Sequence, residues 1–147
     1  LGYIFADEKI IDVAKKVHDF LTVGAAHPLM ETVVTALEFD DKYYSDFLAI
    51  YQHKKDLFIN GLKNLDLSFS DPQGAYYVLV NTDEFKVTND IKFCEWLARE
   101  VGVGAVPGSS FFREDVNNYI RFHFAKGDDR VLEDAISRLS KIHLLQK

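Results

Sequence analysis

The stretch Asn118-Tyr-Ile-Arg-Phe-His-Phe-Ala125 constrains the fold more than any other part of the chain. Its residues alternate. As a strand it would put Ile120, Phe122 and Phe124 on one face and Tyr119, Arg121 and His123 on the other. A wholly apolar face must be covered, so this stretch belongs to a sheet packed on one side against other elements. The anchored backbone would then hold the Arg121 guanidinium in place on the opposite side. A guanidinium is a fork of N–H donors whose shape suits a carboxylate. An arginine on a strand is, by itself, ordinary solvated surface, so the rest of the chain decides what this one means.

The first part of the chain reads as strand, helix, break, helix. Leu1–Ala6 has strand character, and Asp7 is placed to cap a helix running to about Leu21, with Ile10, Ile11, Ala14, Val17, His18 and Leu21 at helical spacing. Thr22-Val-Gly-Ala-Ala-His-Pro28 interrupts it, and Pro28 suits the first turn of a helix from Leu29 to about Phe39. Asp40 or Asp41 then opens a long helix to about Leu65, striped by Tyr44, Phe47, Leu48, Tyr51, Phe58, Leu62 and Leu65. Its roughly 24 residues would span about 36 Å, enough to reach across two domains. The domain boundary is expected near its start, giving residues 1–40 and 41–147, with the helix 41–65 in the second.

Beyond residue 66 the expected order is strand, strand, helix, strand, strand, helix. Leu67–Ser70 is a short strand, followed by the turn Asp71-Pro-Gln-Gly74. Ala75–Asn81 reads as a strand buried on both faces. Asn89 caps a helix carrying Phe93, Trp96, Leu97 and Val101, which Gly102 ends. Val103–Val106 and Asn118–Ala125 are the remaining strands, and Asp128 caps a final helix with Val131, Leu132, Ala135, Ile136, Leu139 and Ile142 turned inward. The fold class is therefore α/β, a small sheet covered by helices.

Composition removes several function classes. A net charge of −6 without a basic block argues against nucleic acid as a partner. No apolar run reaches membrane-spanning length. Cys94 is the only cysteine, which excludes an internal disulfide and a cysteine-based metal cage; on its helix it reads as a small buried hydrophobe. One unpaired thiol suits a reducing cytoplasm. His18, His27, His53, His123 and His143 include no pair at the spacing of a zinc helix, so no metal site is expected. His123 shares the Arg121 face, and a hydrogen-bonded sheet histidine is the simpler reading. Gly108-Ser-Ser-Phe-Phe112 lacks the second glycine of a nucleophile elbow, and Val101-Gly-Val-Gly104 follows a helix, the wrong setting for a dinucleotide loop. Tyr43, Tyr44, Phe47 and Tyr51 read as core or subunit contact in preference to a binding platform.

Four stretches, in this order, resemble the C-terminal part of class I aminotransferases, the pyridoxal-phosphate enzymes of fold type I: Leu1-Gly-Tyr-Ile-Phe-Ala6, Pro72-Gln-Gly-Ala-Tyr-Tyr-Val78, Val103-Gly-Ala-Val-Pro-Gly-Ser-Ser-Phe111 and Tyr119-Ile-Arg-Phe-His-Phe-Ala125. Each is loose alone; the ordered set covers nearly the whole chain. The resemblance implies the small C-terminal domain of that fold (41–147) preceded by the last strand and helices of the large, cofactor-binding domain (1–40). It implies that Arg121 grips the substrate's α-carboxylate. It also implies that the phosphate-binding arginine and the Schiff-base lysine lie upstream of Leu1, so no catalytic or cofactor-binding residue is assigned within the chain. None of Lys15, Lys16, Lys54, Lys55, Lys63 or Lys126 looks like a substitute, and the chain alone is expected to be an inactive fragment.

The function implied is transfer of an amino group between an amino acid and a 2-oxo acid, 2-oxoglutarate being the expected acceptor, in a cytoplasmic homodimer. The Thr22–Pro28 break resembles a segment that approaches the partner's site. Its small residues offer no charged group to recognise a dicarboxylate side chain, so neutral or aromatic amino acids are as compatible as aspartate. Two alternatives keep the resemblance: a pyridoxal-phosphate-sensing transcription regulator, and a β-lyase or synthase. A third, a bare interaction module without cofactor, abandons it.

Overall fold

The computed structural model describes residues 1–146 of the chain. They form two compact units, Leu1–Asp46 and Phe47–Lys147.

The first unit is helical. Asp7 caps α1 (Glu8–Thr22) by accepting a hydrogen bond from the Lys9 amide at 3.0 Å, as its position before an apolar-periodic run predicts. α2 (His27–Leu37) carries Pro28 in its first turn, where a missing N–H costs no helical hydrogen bond. Leu1–Ala6 is irregular instead of the expected strand. A strand is completed by its neighbour, and no described residue pairs with this stretch; Tyr3 and Phe5 are largely exposed and meet edge-to-face. No residue of the first 46 is buried.

α3 (Asp41–Asn64) is the long helix, and the division between the units falls within it. In the second unit its apolar face supplies Phe58, Ile59 and Leu62 to the core. Three antiparallel strands face it: β1 (Tyr77–Asn81), β2 (Val106–Pro107) and β3 (Tyr119–His123), in the order β1-β3-β2. Tyr77 pairs with His123, Leu79 with Arg121 and Asn81 with Tyr119 on one side of β3; Val106 pairs with Arg121 on the other. Val78, Val80, Ile120 and Phe122 point inward and are buried, followed by Phe124. β1 is thus covered on one face only, not on both, because helices pack against a single side of this sheet.

Two other strand expectations shrink. Leu67–Ser70 makes one bridge, Phe69 to Val80, flanked by Ser70 N–H to the Leu79 carbonyl and Asn81 N–H to the Ser68 carbonyl, both 2.8 Å. Val103–Val106 contributes only its last residue to β2, which Pro107, lacking an N–H, brings to an end.

The covering layer is α4 (Asp90–Trp96), capped by Asn89, and α5 (Asp129–Leu139), capped by Asp128, both as expected. A π-helical turn, Leu97–Val101, extends α4, and Gly102 closes it at φ 78°, a left-handed conformation that glycine adopts without a side-chain clash. Leu97, Leu132, Leu139 and Ile142 complete the core. Each such side chain contributes about 1.5–3 kcal/mol through removal from water. α3 is also fastened to the turn after β3: the Lys54 amine donates to the carbonyls of Ala125 (3.2 Å) and Gly127 (2.8 Å), and His53 lies 2.8 Å from the Asp129 carboxylate.

Candidate functional site

β3 is the middle strand, so Arg121 stands at the centre of the sheet's outer face, held by ladders on both sides. The alternation read from the sequence holds: Ile120 and Phe122 are buried, and Arg121 is half-buried on the other side. Two aromatic rings flank its guanidinium. The Phe111 ring centre lies 3.9 Å from the central carbon and that of Tyr77 lies 4.8 Å away. Tyr77 belongs to β1 and Phe111 follows β2, so the rings arrive from opposite flanks of β3. Cation–π contacts of this kind contribute on the order of 0.5–2 kcal/mol each and limit where the guanidinium can swing. Among the described residues none forms a hydrogen bond or ion pair with the Arg121 side chain. Its N–H edges therefore remain available to an external carboxylate.

Phe111 is delivered by a 3₁₀ turn, Gly108–Phe111, that lies directly on β3. A Cβ at Gly108 would sit 2.4 Å from the Tyr119 carbonyl oxygen, so only glycine lets the turn approach this closely. The turn is also tied from behind. Asp90, at the start of α4 and 3% exposed, accepts from the Ser109 amide at 2.8 Å and from the Ser109 hydroxyl at 3.1 Å.

Sequence reading set Arg121 on the strand face opposite Ile120 and Phe122, as the structure has it, but did not foresee that the Tyr77 and Phe111 rings flank its guanidinium or that Asp90 holds Ser109. Phe111 and Tyr77 stand in two of the quoted stretches, but which ring meets the guanidinium depends on strand order. Asp90 carried no signal beyond its place next to a helix cap.

The other candidates are dispersed. His123 is exposed on the sheet face of Arg121. His18 lies 2.8 Å from the Thr22 hydroxyl and His27 is 3.8 Å from Glu31 on exposed helix surface. His143 lies 2.8 Å from the Leu65 carbonyl. Among the described residues no three His, Cys, Asp or Glu side chains converge on a metal position, and no helix is long and apolar enough to cross a membrane. Cys94 is buried, as its reading as a small hydrophobe requires. Burial, and secondarily the Asp90 carboxylate, push its thiol up to about 11. Tyr43, Tyr44 and Phe47 are exposed, not core.

A cavity of about 410 Å³ lies between α3 and the 72–76 turn, lined by Tyr51, Gln52, Lys55, Pro72, Tyr76 and Phe124 among others. Arg121 is not in its wall, and a mostly apolar hollow with one amine at its edge offers no carboxylate fork.

No described lysine is buried, and that of Lys54, half-buried, is engaged by two backbone carbonyls. A guanidinium flanked by two rings and unpaired among the described residues has the charge and the shape to bind a carboxylate.

Known proteins resemble this chain in sequence and fold. The family model for aminotransferase class I and II matches residues 1–139. A methionine aminotransferase of Escherichia coli is 30% identical over 136 residues, covering 92% of this chain and 35% of that enzyme. An aspartate aminotransferase of Thermotoga maritima is 30% identical over 140 residues, 95% of this chain and 34% of the enzyme. The solved structure of N-succinyldiaminopimelate aminotransferase from Mycobacterium tuberculosis superposes with a TM-score of 0.74 at 27% identity, covering 93% of this chain and 35% of that one. The chain spans about a third of the length of the curated relatives it matches. With the fold, the ordered motifs and the family model all in agreement across nearly every residue, this chain belongs to the aminotransferase class I and II family.

Proposed function

We propose that this chain supplies the substrate-carboxylate grip of an aminotransferase, with Arg121 as the gripping residue. The observation that carries this is a guanidinium on the middle strand, flanked by two rings and unclaimed by any acid among the described residues. An amino acid and its 2-oxo acid counterpart share one feature that both half-reactions present, the α-carboxylate. Arg121 would take it edge-on through two parallel N–H···O bonds, since rings occupy the flanks. Held so, the α-carbon keeps one orientation throughout, a positioning effect that contributes several kcal/mol to a reaction barrier.

Pyridoxal phosphate is the cofactor proposed for the whole protein, with 2-oxoglutarate as amino acceptor; when bound it supplies the electron sink that α-proton loss requires. Its lysine and phosphate ligands are assigned outside these 147 residues, so the isolated chain is proposed to be inactive. In this reading residues 1–40 belong to the large domain, residues 41–147 are the small domain, and the protein works as a cytoplasmic homodimer. The names of the relatives, which include methionine and aspartate aminotransferases, support amino-group transfer and leave the donor open.

The test is Arg121→Ala in the protein that carries this chain. KM for an amino-acid substrate should rise at least about tenfold, equivalent to about 1.4 kcal/mol, and kcat should fall. The cofactor's visible absorption band should persist in the variant, because Arg121 touches the substrate and not the cofactor. Unchanged kinetics would remove Arg121 from the site.

A further inference from the structure

We infer that Asp90 is a positioning residue for carboxylate recognition, acting on Arg121 through Ser109 and Phe111; this rests on the role of Arg121 proposed above. Asp90 is a carboxylate almost wholly out of water, a costly placement unless its oxygens are satisfied. Both are: one accepts the Ser109 amide and the other the Ser109 hydroxyl. The two bonds fix a single residue of the 3₁₀ turn from the side of α4. On its other side the turn rests against the β3 backbone at Tyr119, where Gly108 leaves no room for a side chain. The turn is therefore gripped at two adjacent residues, Gly108 and Ser109, and Phe111 follows two positions later with its ring over the Arg121 guanidinium.

The sequence separation makes the point sharper. Asp90 and Ser109 are 19 residues apart, and a helix cap alone would have needed neither bond, since Asn89 already caps α4 through the Lys92 amide. The charge of Asp90 is spent on the turn. Without it, the segment between β2 and β3 keeps its pairing at Val106 and Pro107 but loses what sets the direction of Phe111. Arg121 would then keep its strand position and lose one of the two rings that confine its head group. The expected defect is one of substrate capture.

The experiment is a double-mutant cycle in the protein that carries this chain, loaded with its cofactor, combining Asp90→Asn with Arg121→Ala. Asn keeps the size of the side chain but removes the charge and one of the two acceptors. Asp90→Asn alone should lower kcat/KM about tenfold, mostly through KM, within the coupling range of residues that act on one another. In the Arg121→Ala background the same substitution should cost less than about twofold, because the residue it acts through is gone. Equal losses in both backgrounds would overturn the inference and leave Asp90 a structural residue, with the role of Arg121 intact. If Arg121→Ala itself has no effect, the proposed function falls first and the inference with it. Should Asp90→Asn not fold, Ser109→Ala replaces it in the same cycle. It removes only the 3.1 Å hydroxyl bond and keeps the amide bond, and Ser109→Thr, which restores the hydroxyl, should recover KM.

Discussion

Asp90 touches two readable quantities at once, the turn under Arg121 and the thiol of Cys94 four residues along. Burial and, secondarily, that carboxylate raise the Cys94 thiol from its ordinary 9.0 to about 11. Between these values the unfolded chain loses a proton that the folded chain keeps. Folded protein then binds more protons than unfolded, so the contribution of Cys94 to stability is intact below pH 9 and declines as pH rises from 9 towards 11. A thiol reagent at pH 8 should modify Cys94 slowly in native protein and promptly in urea. The fall in urea midpoint from pH 9 to 11 should be smaller in Cys94→Ala than in the parent, once the alanine variant's lower starting stability is subtracted. The side of the strand that Arg121 takes was legible from Ile120, Phe122 and Phe124 alone. Its flanking rings were not, because Tyr77 lies 44 residues away in the sequence and becomes a neighbour only through strand pairing.

Among the elements, helices were read more faithfully than strands, for a reason visible in Asp7, Asn89 and Asp128. Each cap and its apolar stripe is local, and each does cap its helix. A strand is a property of two segments. Leu1–Ala6 has the composition of one and no pairing partner among the described residues, Val103–Val106 is cut to its end by Pro107, and the 3₁₀ turn Gly108–Phe111 left no periodic trace at all. That turn nevertheless makes the strictest demand on sequence. Gly108→Ala sets a methyl against backbone at 2.4 Å, where no flexible side chain can yield. It should destabilise the second unit by about 1–3 kcal/mol, the usual cost of overpacking. Urea denaturation would show this, and KM should rise alongside because the Phe111 ring is displaced.

At the scale of the molecule the two units differ in kind. The second has a continuous core running from Phe58 and Leu62 through the sheet to Leu139 and Ile142, whereas the first buries no side chain. Limited proteolysis of the 147-residue chain should therefore cut within residues 1–46 first and leave a fragment beginning near residue 47; early cuts in β3 or α5 would contradict this. The sequence foretold the long helix that both units share, and the resemblance, which makes residues 1–40 a piece of a larger domain, fits the exposure of Ile10, Val17 and Leu37. The strand order β1-β3-β2 has a consequence for synthesis. The central strand is the last of the three to leave the ribosome, so β1 and β2 emerge before the strand that joins them. Until His123 has cleared the exit tunnel the three strands cannot join, and Tyr77–Asn81, bridged to Phe69 on one side, travels with its other edge open for a chaperone to shelter.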